Sequence, residues 1–151
     1  MKIGELAEKS GLTERMLRHY EDLGIIAPTR TNGGTRQYSE LDVEVAKLVK
    51  HFRALDVPLE TLADVAKERK KHETGHDSQD AVANLLRSLA DVLAQKAEQS
   101  LALHRLVRDA SDAVKACNGC DNAPSPEGCP DCPMNAHSRD NAVAAMIWHS
   151  D

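Results

Sequence analysis

Aromatic side chains are scarce in this chain of 151 residues: one Trp, one Phe and two Tyr make up 3% of it. A core built around stacked rings is therefore excluded, and packing must rest on Leu, Val and Ala. Long apolar runs are missing as well. No stretch approaches the ~20 residues that a bilayer-spanning helix requires, and the N-terminal residues show neither a signal peptide nor an acylation motif. These absences predict a soluble, cytoplasmic protein with no membrane partner. Cysteine is limited to four residues, all within 117–132. In a reducing compartment such thiols serve metal binding or redox chemistry rather than a disulfide framework. No Ser/His/Asp set and no paired carboxylates stand out, and the βαβ pattern of a thiol-disulfide oxidoreductase is absent. No enzymatic activity is expected.

An excess of basic charge is also lacking, since 19 Lys and Arg face 24 Asp and Glu for a net charge of −5. The deficit is local. Residues 1–75 hold 13 of the basic and 13 of the acidic side chains, so the whole imbalance falls in 76–151. A neutral N-terminal half can still present a basic surface to nucleic acid, because contact depends on local fields rather than on the total. The length suits one ordinary domain, or two small modules that complete their cores by pairing.

What is present begins with two short helical segments. Ile3, Leu6 and Ala7 share a face, Gly11 ends that segment, and Thr13 is placed to cap a second one, LTERMLRHYEDLG. Two short helices joined by a tight turn form a helix-turn-helix candidate. The stretch RTNGGTRQY follows, in which Asn32, Gly33 and Gly34 can form a tight hairpin turn. Flanking strands would make a wing carrying Arg30 on one arm and Arg36 and Tyr38 on the other. On the second helix Arg15, Arg18 and His19 fall three or four residues apart and so share a face able to enter a major groove. Arg30 and Arg36 suit phosphates, which position a protein without reading bases. The competing reading, in which these arginines pair with Glu14, Glu21 and Asp22, stays open at this point.

Ser39-Glu40-Leu41-Asp42 has the form of a capping box opening a third helix, on which Leu41, Val45, Leu48, Val49 and Phe52 recur at helical spacing. A fourth helix starts near Pro58, with Leu59, Leu62 and Val65 expected inside and Lys67, Arg69, Lys70 and Lys71 at its end, where they complement the helix dipole. The polar HETGHDS at 72–78 reads as a hinge. From Gln79 to Ala116 neither Pro nor Gly intervenes, and Val82, Leu89, Leu103 and Ala110 alternate with Leu85/Leu86, Val92/Leu93, Leu106/Val107 and Ala113/Val114 in a heptad. A helix of that length cannot bury its stripe on itself, so a second copy of the same helix is expected to cover it in a two-fold homodimer. Beyond it lies CNGCDNAPSPEGCPDC, two Cys-X-X-Cys pairs formed by Cys117, Cys120, Cys129 and Cys132. Four soft sulfur ligands suit tetrahedral Zn(II), an iron–sulfur cluster or Cu(I).

The segments MLRHYEDLGII, GGTRQYSELDVEVAKLV and VPLETLADV, in this order, resemble the MerR family of bacterial transcription regulators, and the likeness runs through about residue 132. It implies a mainly α fold: a winged helix-turn-helix that binds double-stranded promoter DNA, a long antiparallel coiled-coil dimerisation helix, and a C-terminal cysteine loop that senses the inducer. The implied map is 1–71 DNA-binding domain, 72–78 hinge, 79–116 dimerisation helix, 117–132 sensor loop and 133–151 tail. The implied mechanism is activation by bending and untwisting a promoter spacer so that RNA polymerase engages both of its elements. Residues matching the family's DNA contacts are Arg15, Arg18, His19, Tyr20, Arg36 and Tyr38, to which the residue reading adds Thr13 and Arg30. His19 and Thr35 stand where the family often has Tyr. In the loop, CNGC followed by DCP is similar to SoxR-like redox sensors with a [2Fe-2S] cluster, although the Cys-X-Cys of those proteins is absent. Cys117 and Cys132 also match the two-cysteine Cu(I) site of CueR-like sensors. The cluster is the leading expectation, Zn(II) the next, and Cu(I) or a reversible disulfide follows.

Overall fold

The computed structural model describes residues 1–123 and 134–148, and these are mainly helical. Within them the chain divides into two compact units, Met1–Val92 and Leu93–Asp151. The first begins with α1 (Ile3–Ser10) and α2 (Glu14–Asp22). The turn between them is closed by the Gly11 N–H donating to the Ala7 carbonyl at 3.0 Å. Thr13 caps α2 as expected, its hydroxyl accepting from the Met16 N–H at 3.2 Å.

The wing is a two-stranded antiparallel hairpin, β1 (Thr29–Arg30) and β2 (Arg36–Gln37), in register Thr29 to Gln37 and Arg30 to Arg36. Of Asn32, Gly33 and Gly34 in the turn, only Gly34 takes a positive φ, at 79°. The Gly34 N–H donates to the Thr31 carbonyl at 2.8 Å and the Thr31 N–H to the Thr35 carbonyl at 2.9 Å. This is a three-residue loop in which one left-handed position suffices to reverse the chain, and glycine takes that position without a Cβ clash.

Ser39 opens α3 (Glu40–Ala54) with the predicted capping box, the Ser39 N–H donating to Asp42 Oδ2 at 2.7 Å and the Asp42 N–H to Ser39 Oγ at 3.2 Å. The buried face of α3 differs from the expected one. Val43, Ala46 and Val49 lie inside, while Leu41 and Leu48 are exposed. Pro58 starts α4 (Leu59–Glu68), which buries Leu62 and Ala63 and passes into a 3-10 turn, Arg69–Lys71. The core of this unit is closed: Leu6 and Leu17 have no exposed surface, Val57 keeps 1% and Tyr20 2%. At roughly 1.5–3 kcal/mol per buried large apolar side chain, these residues dominate its stability.

The long helix α5 runs Gly75–Val114, four residues ahead of the expected start. Thr74 explains the difference, because its hydroxyl accepts from the Asp77 N–H at 3.1 Å and donates to Asp77 Oδ2 at 2.6 Å. That side-chain cap converts half of the expected hinge into the first helical turn.

In the second unit, α5 ends in a 3-10 turn, Lys115–Cys117. The expected tail is a helix pair, α6 (Met134–Asp140) and α7 (Ala142–Trp148). Asn141 joins them and docks them on α5. Its Oδ1 accepts from the N–H groups of Val143 and Ala144 at 2.9 and 3.0 Å, and its Nδ2 donates to the Leu106 carbonyl at 2.9 Å. Ala110 and Ala144 are buried there, whereas Leu101, Leu103, Val107 and Val114 are exposed along α5.

Candidate nucleic-acid interface and thiol segment

Helical spacing sets the first part of the interface. Arg15, Arg18 and His19 are exposed on α2 and line one open depression with Met16 and Asp22. Leu17 and Tyr20, on the opposite side of the same helix, are in the core, so burial of one face fixes the direction of the other. Arg18 approaches Glu14 at 3.9 Å, and both side chains are about half exposed. An exposed pair of this kind contributes about 0–1 kcal/mol and leaves the guanidinium available. The side chains of Arg15 and His19 make no hydrogen bond or ion pair among the described residues.

The wing is held to α2 by a residue not singled out as functional in the sequence. Glu21, its side chain 10% exposed, accepts from Arg36 Nε at 3.0 Å and from the Tyr38 hydroxyl. One carboxylate thus fixes both an arginine and a tyrosine of the second wing arm. Burial, and then the hydrogen bond to the Glu21 anion, push the Tyr38 phenol up to about 12, against the opposing pull of Arg36 and Arg18. Arg30 on the other arm is exposed and donates to the Gly34 carbonyl at 3.0 Å, bracing the hairpin.

Two residues expected among the DNA contacts turn inward: Tyr20 and Tyr38 keep only 2% and 4% of their surface exposed. Tyr20 packs in the core, and burial raises its phenol above the ordinary tyrosine range. Tyr38 positions Arg36 through their shared partner Glu21. Thr13 is spent on capping α2, so its hydroxyl orients the helix that carries Arg15 and Arg18. Arg18 pairs with Glu14 and Arg36 with Glu21, as the competing ion-pair reading of these two arginines expects. Each remains exposed despite its partner.

Of the four cysteines, Cys117 and Cys120 are exposed at the end of α5, and Cys129 and Cys132 lie outside the described residues. The Cys120 N–H donates to the Cys117 carbonyl at 3.0 Å, and Gly119 takes a φ of 79°. Two residues between the thiols therefore close into one reverse turn, as a Cys-X-X-Cys pair requires in order to offer both sulfurs to one ion. This pair fits half of a four-thiolate set. Among the described residues no group of three His, Cys, Asp or Glu side chains comes together as a metal site, and His72 pairs instead with Glu68 at 3.1 Å.

A helix-turn-helix with a short wing and an outward arginine face defines the class of winged DNA-binding regulators. Residues 1–69 match the model of the MerR HTH family regulatory proteins. An HTH-type transcriptional regulator of Pseudomonas aeruginosa, PA4778, is 31% identical over 142 residues, covering 89% of this chain and 92% of its own. The chain belongs to the MerR family of transcription regulators. It is also similar to the heavy metal-dependent transcription regulator 2 of Rhizobium meliloti, at 27% identity over 135 residues covering 89% of this chain and 83% of that one. A MerR family transcriptional regulator from Listeria monocytogenes superposes with a TM-score of 0.59 at 25% identity, covering 72% of this chain and 82% of that chain. These relatives are regulators and not enzymes. No helix among the described residues is long and apolar enough to cross a membrane.

Proposed function

We propose that this regulator binds promoter DNA as a homodimer and activates transcription in response to a soft metal ion captured by its cysteine segment. The observation that carries the DNA reading is the exposed Arg15, Arg18 and His19 face of α2, next to a wing braced by Glu21. In this reading 1–71 is the DNA-binding domain, 79–116 the dimerisation helix and 117–132 the sensor, with RNA polymerase the partner that reads the distorted promoter. The exposed leucines and valines of α5 support the homodimer, because a second copy of the helix is the economical cover for such a stripe. The compartment in this reading is the cytoplasm, where thiols stay reduced.

The metal reading rests on the exposed Cys117–Cys120 turn and on the likeness to a heavy metal-dependent regulator. Cys129 and Cys132 would complete four thiolates around Zn(II) or another soft ion, with Cu(I) able to use fewer. A [2Fe-2S] cluster is the second reading, favoured by the same exposure, which would leave a cluster accessible to oxidants. Metal and acid-labile sulfide analysis with an absorption spectrum on anaerobically purified protein separates them. One colourless metal ion per chain supports the ion; a coloured, sulfide-containing species replaces it with the cluster. Serine at Cys117 or Cys120 should preserve DNA binding and abolish induced transcription. Unchanged induction by a folded variant would reduce the four cysteines to a structural clamp.

A further inference from the structure

The wing and the start of the chain bring Lys2, which the DNA reading does not use, beside Arg18 and Arg36, which it does. A notch of about 280 Å³ is lined by Lys2, Arg18, Gly34, Thr35 and Arg36 among others. Its three cations come from three separate places: the residue before α1, the exposed face of α2, and β2. No acidic residue lines it. Arg36 is partly neutralised by Glu21 and Arg18 is only weakly engaged by Glu14. Lys2 is exposed, and its side chain has neither hydrogen bond nor ion pair among the described residues.

Lys2 is there for a structural reason. The Tyr38 N–H donates to the Met1 carbonyl at 2.9 Å, and the Met1 amino nitrogen donates to the Tyr38 carbonyl at 2.8 Å. This reciprocal pairing lays the first residues beside the end of β2 and fixes where Lys2 leaves the backbone. Three like charges around a small open notch repel one another unless an anion joins them, and a lysine without a partner is the group with most to gain.

Resting on the DNA reading above, we propose that Lys2 grips a DNA backbone phosphate of its own, next to those met by Arg18 and Arg36, and that Lys2 is a positioning contact for the wing. A phosphate contact carries no base information. It releases about 0.9 of a counterion, which at ~0.15 M salt amounts to about a fivefold change in affinity per bound head.

The test measures duplex binding against salt concentration for the wild type, Lys2→Gln and Lys2→Arg. Two duplexes are used, one of random sequence and one selected by the wild-type protein from a random pool. Lys2→Gln should lower the slope of log affinity against log salt by about 0.9 per bound head, equally on both duplexes, and Lys2→Arg should restore it. An unchanged slope, or a loss confined to the selected duplex, overturns the proposal. Acetylation footprinting of the wild-type protein avoids any folding question: DNA should protect Lys2 but not Lys9, which is engaged by Glu40 at 2.6 Å. Equal protection of both lysines overturns it, and so does protection of Lys2 by inorganic phosphate alone, which would make the notch a free-anion site. If the wild type binds neither duplex, the DNA reading itself fails; if it binds and Lys2→Gln matches it, only the phosphate grip fails.

Discussion

The two units of this chain solve the burial problem differently. In the first, short helices fold back on one another and enclose Leu6, Leu17, Tyr20, Ile26 and Val57, so that these side chains find cover within the same 92 residues. Among the described residues of the second, α5 offers a long stripe to two short helices, and the buried residues are the small Ala110 and Ala144 while Leu103 and Val107 stay exposed. A closed core suits a rigid reading head. An incompletely covered helix suits a segment that takes its stability from association, and whose state can therefore respond to a ligand at its end.

The sharpest way to break this contrast is to open the closed core. Leu17→Ala should cost about 3–5 kcal/mol, the upper part of the range for a buried leucine, visible as a large fall in the urea midpoint. A loss below about 1 kcal/mol, the level of a surface change, would mean that the head is not the self-sufficient unit described. The opposite substitution tests the second unit. Leu103→Asp with Val107→Asp should leave the far-ultraviolet spectrum of the head unchanged yet raise the dissociation constant of the proposed homodimer at least ~100-fold, about 2.7 kcal/mol by affinity arithmetic. Sedimentation equilibrium reads this directly, and an unaltered dimer would place the interface elsewhere.

A smaller effect tests whether the wing belongs to the head. Tyr38→Phe removes the hydroxyl bonded to Glu21 and should destabilise by about 1.5–3 kcal/mol, the range for a hydrogen bond to a charged group, with the lower end expected at this rim. Because the Tyr38 phenol is raised to about 12, its contribution is present below the ordinary tyrosine range and is lost as pH climbs through the raised value. Phenolate absorbance near 295 nm in an alkaline titration should show both tyrosines ionising above the ordinary range in the wild type, and the step near 12 missing in Tyr38→Phe.

The smallest effect lies where the head meets α5. Hydrogen bonds from Lys71 and then His72 hold the Glu68 carboxyl below its ordinary value. The folded state therefore binds fewer protons than the unfolded one as Glu68 titrates. Its stabilising contribution is present above the unfolded carboxylate range and disappears as pH falls through the depressed folded value. Glu68→Gln should lower the melting temperature slightly at neutral pH and not at all in strong acid. An equal loss at both pH values would show that packing, not charge, accounts for the change.

Local patterns make much of this molecule legible from the order of its residues. Thr13 and Ser39 announce helix starts through side chains that reach only three residues ahead, and the heptad of α5 follows from helical period alone. The cysteine spacing predicts a turn that brings two thiols to one side, and the Cys117–Cys120 hydrogen bond closes such a turn. Where a residue's role depends on distant partners, the pattern misleads or is silent. Tyr20 and Tyr38 lie in a basic stretch that reads as outward-facing, yet Tyr38 turns in because Glu21, 17 residues away, accepts its hydroxyl. Leu41 and Leu48 fit the period of α3 but fall outside the stripe that α1 and α4 cover.

The sequence by itself determined the helix-turn-helix, the wing, the uninterrupted long helix and the type of chemistry that four close thiols can perform. These depend on residues within a few positions of one another, where backbone geometry leaves few alternatives. Only the tertiary structure decided that Glu21 braces the wing, that Asn141 docks the last two helices on Leu106, and that Lys2 stands beside Arg18 and Arg36. Each joins residues that lie far apart along the chain or on separate elements, and such meetings are fixed by packing, which no local period encodes.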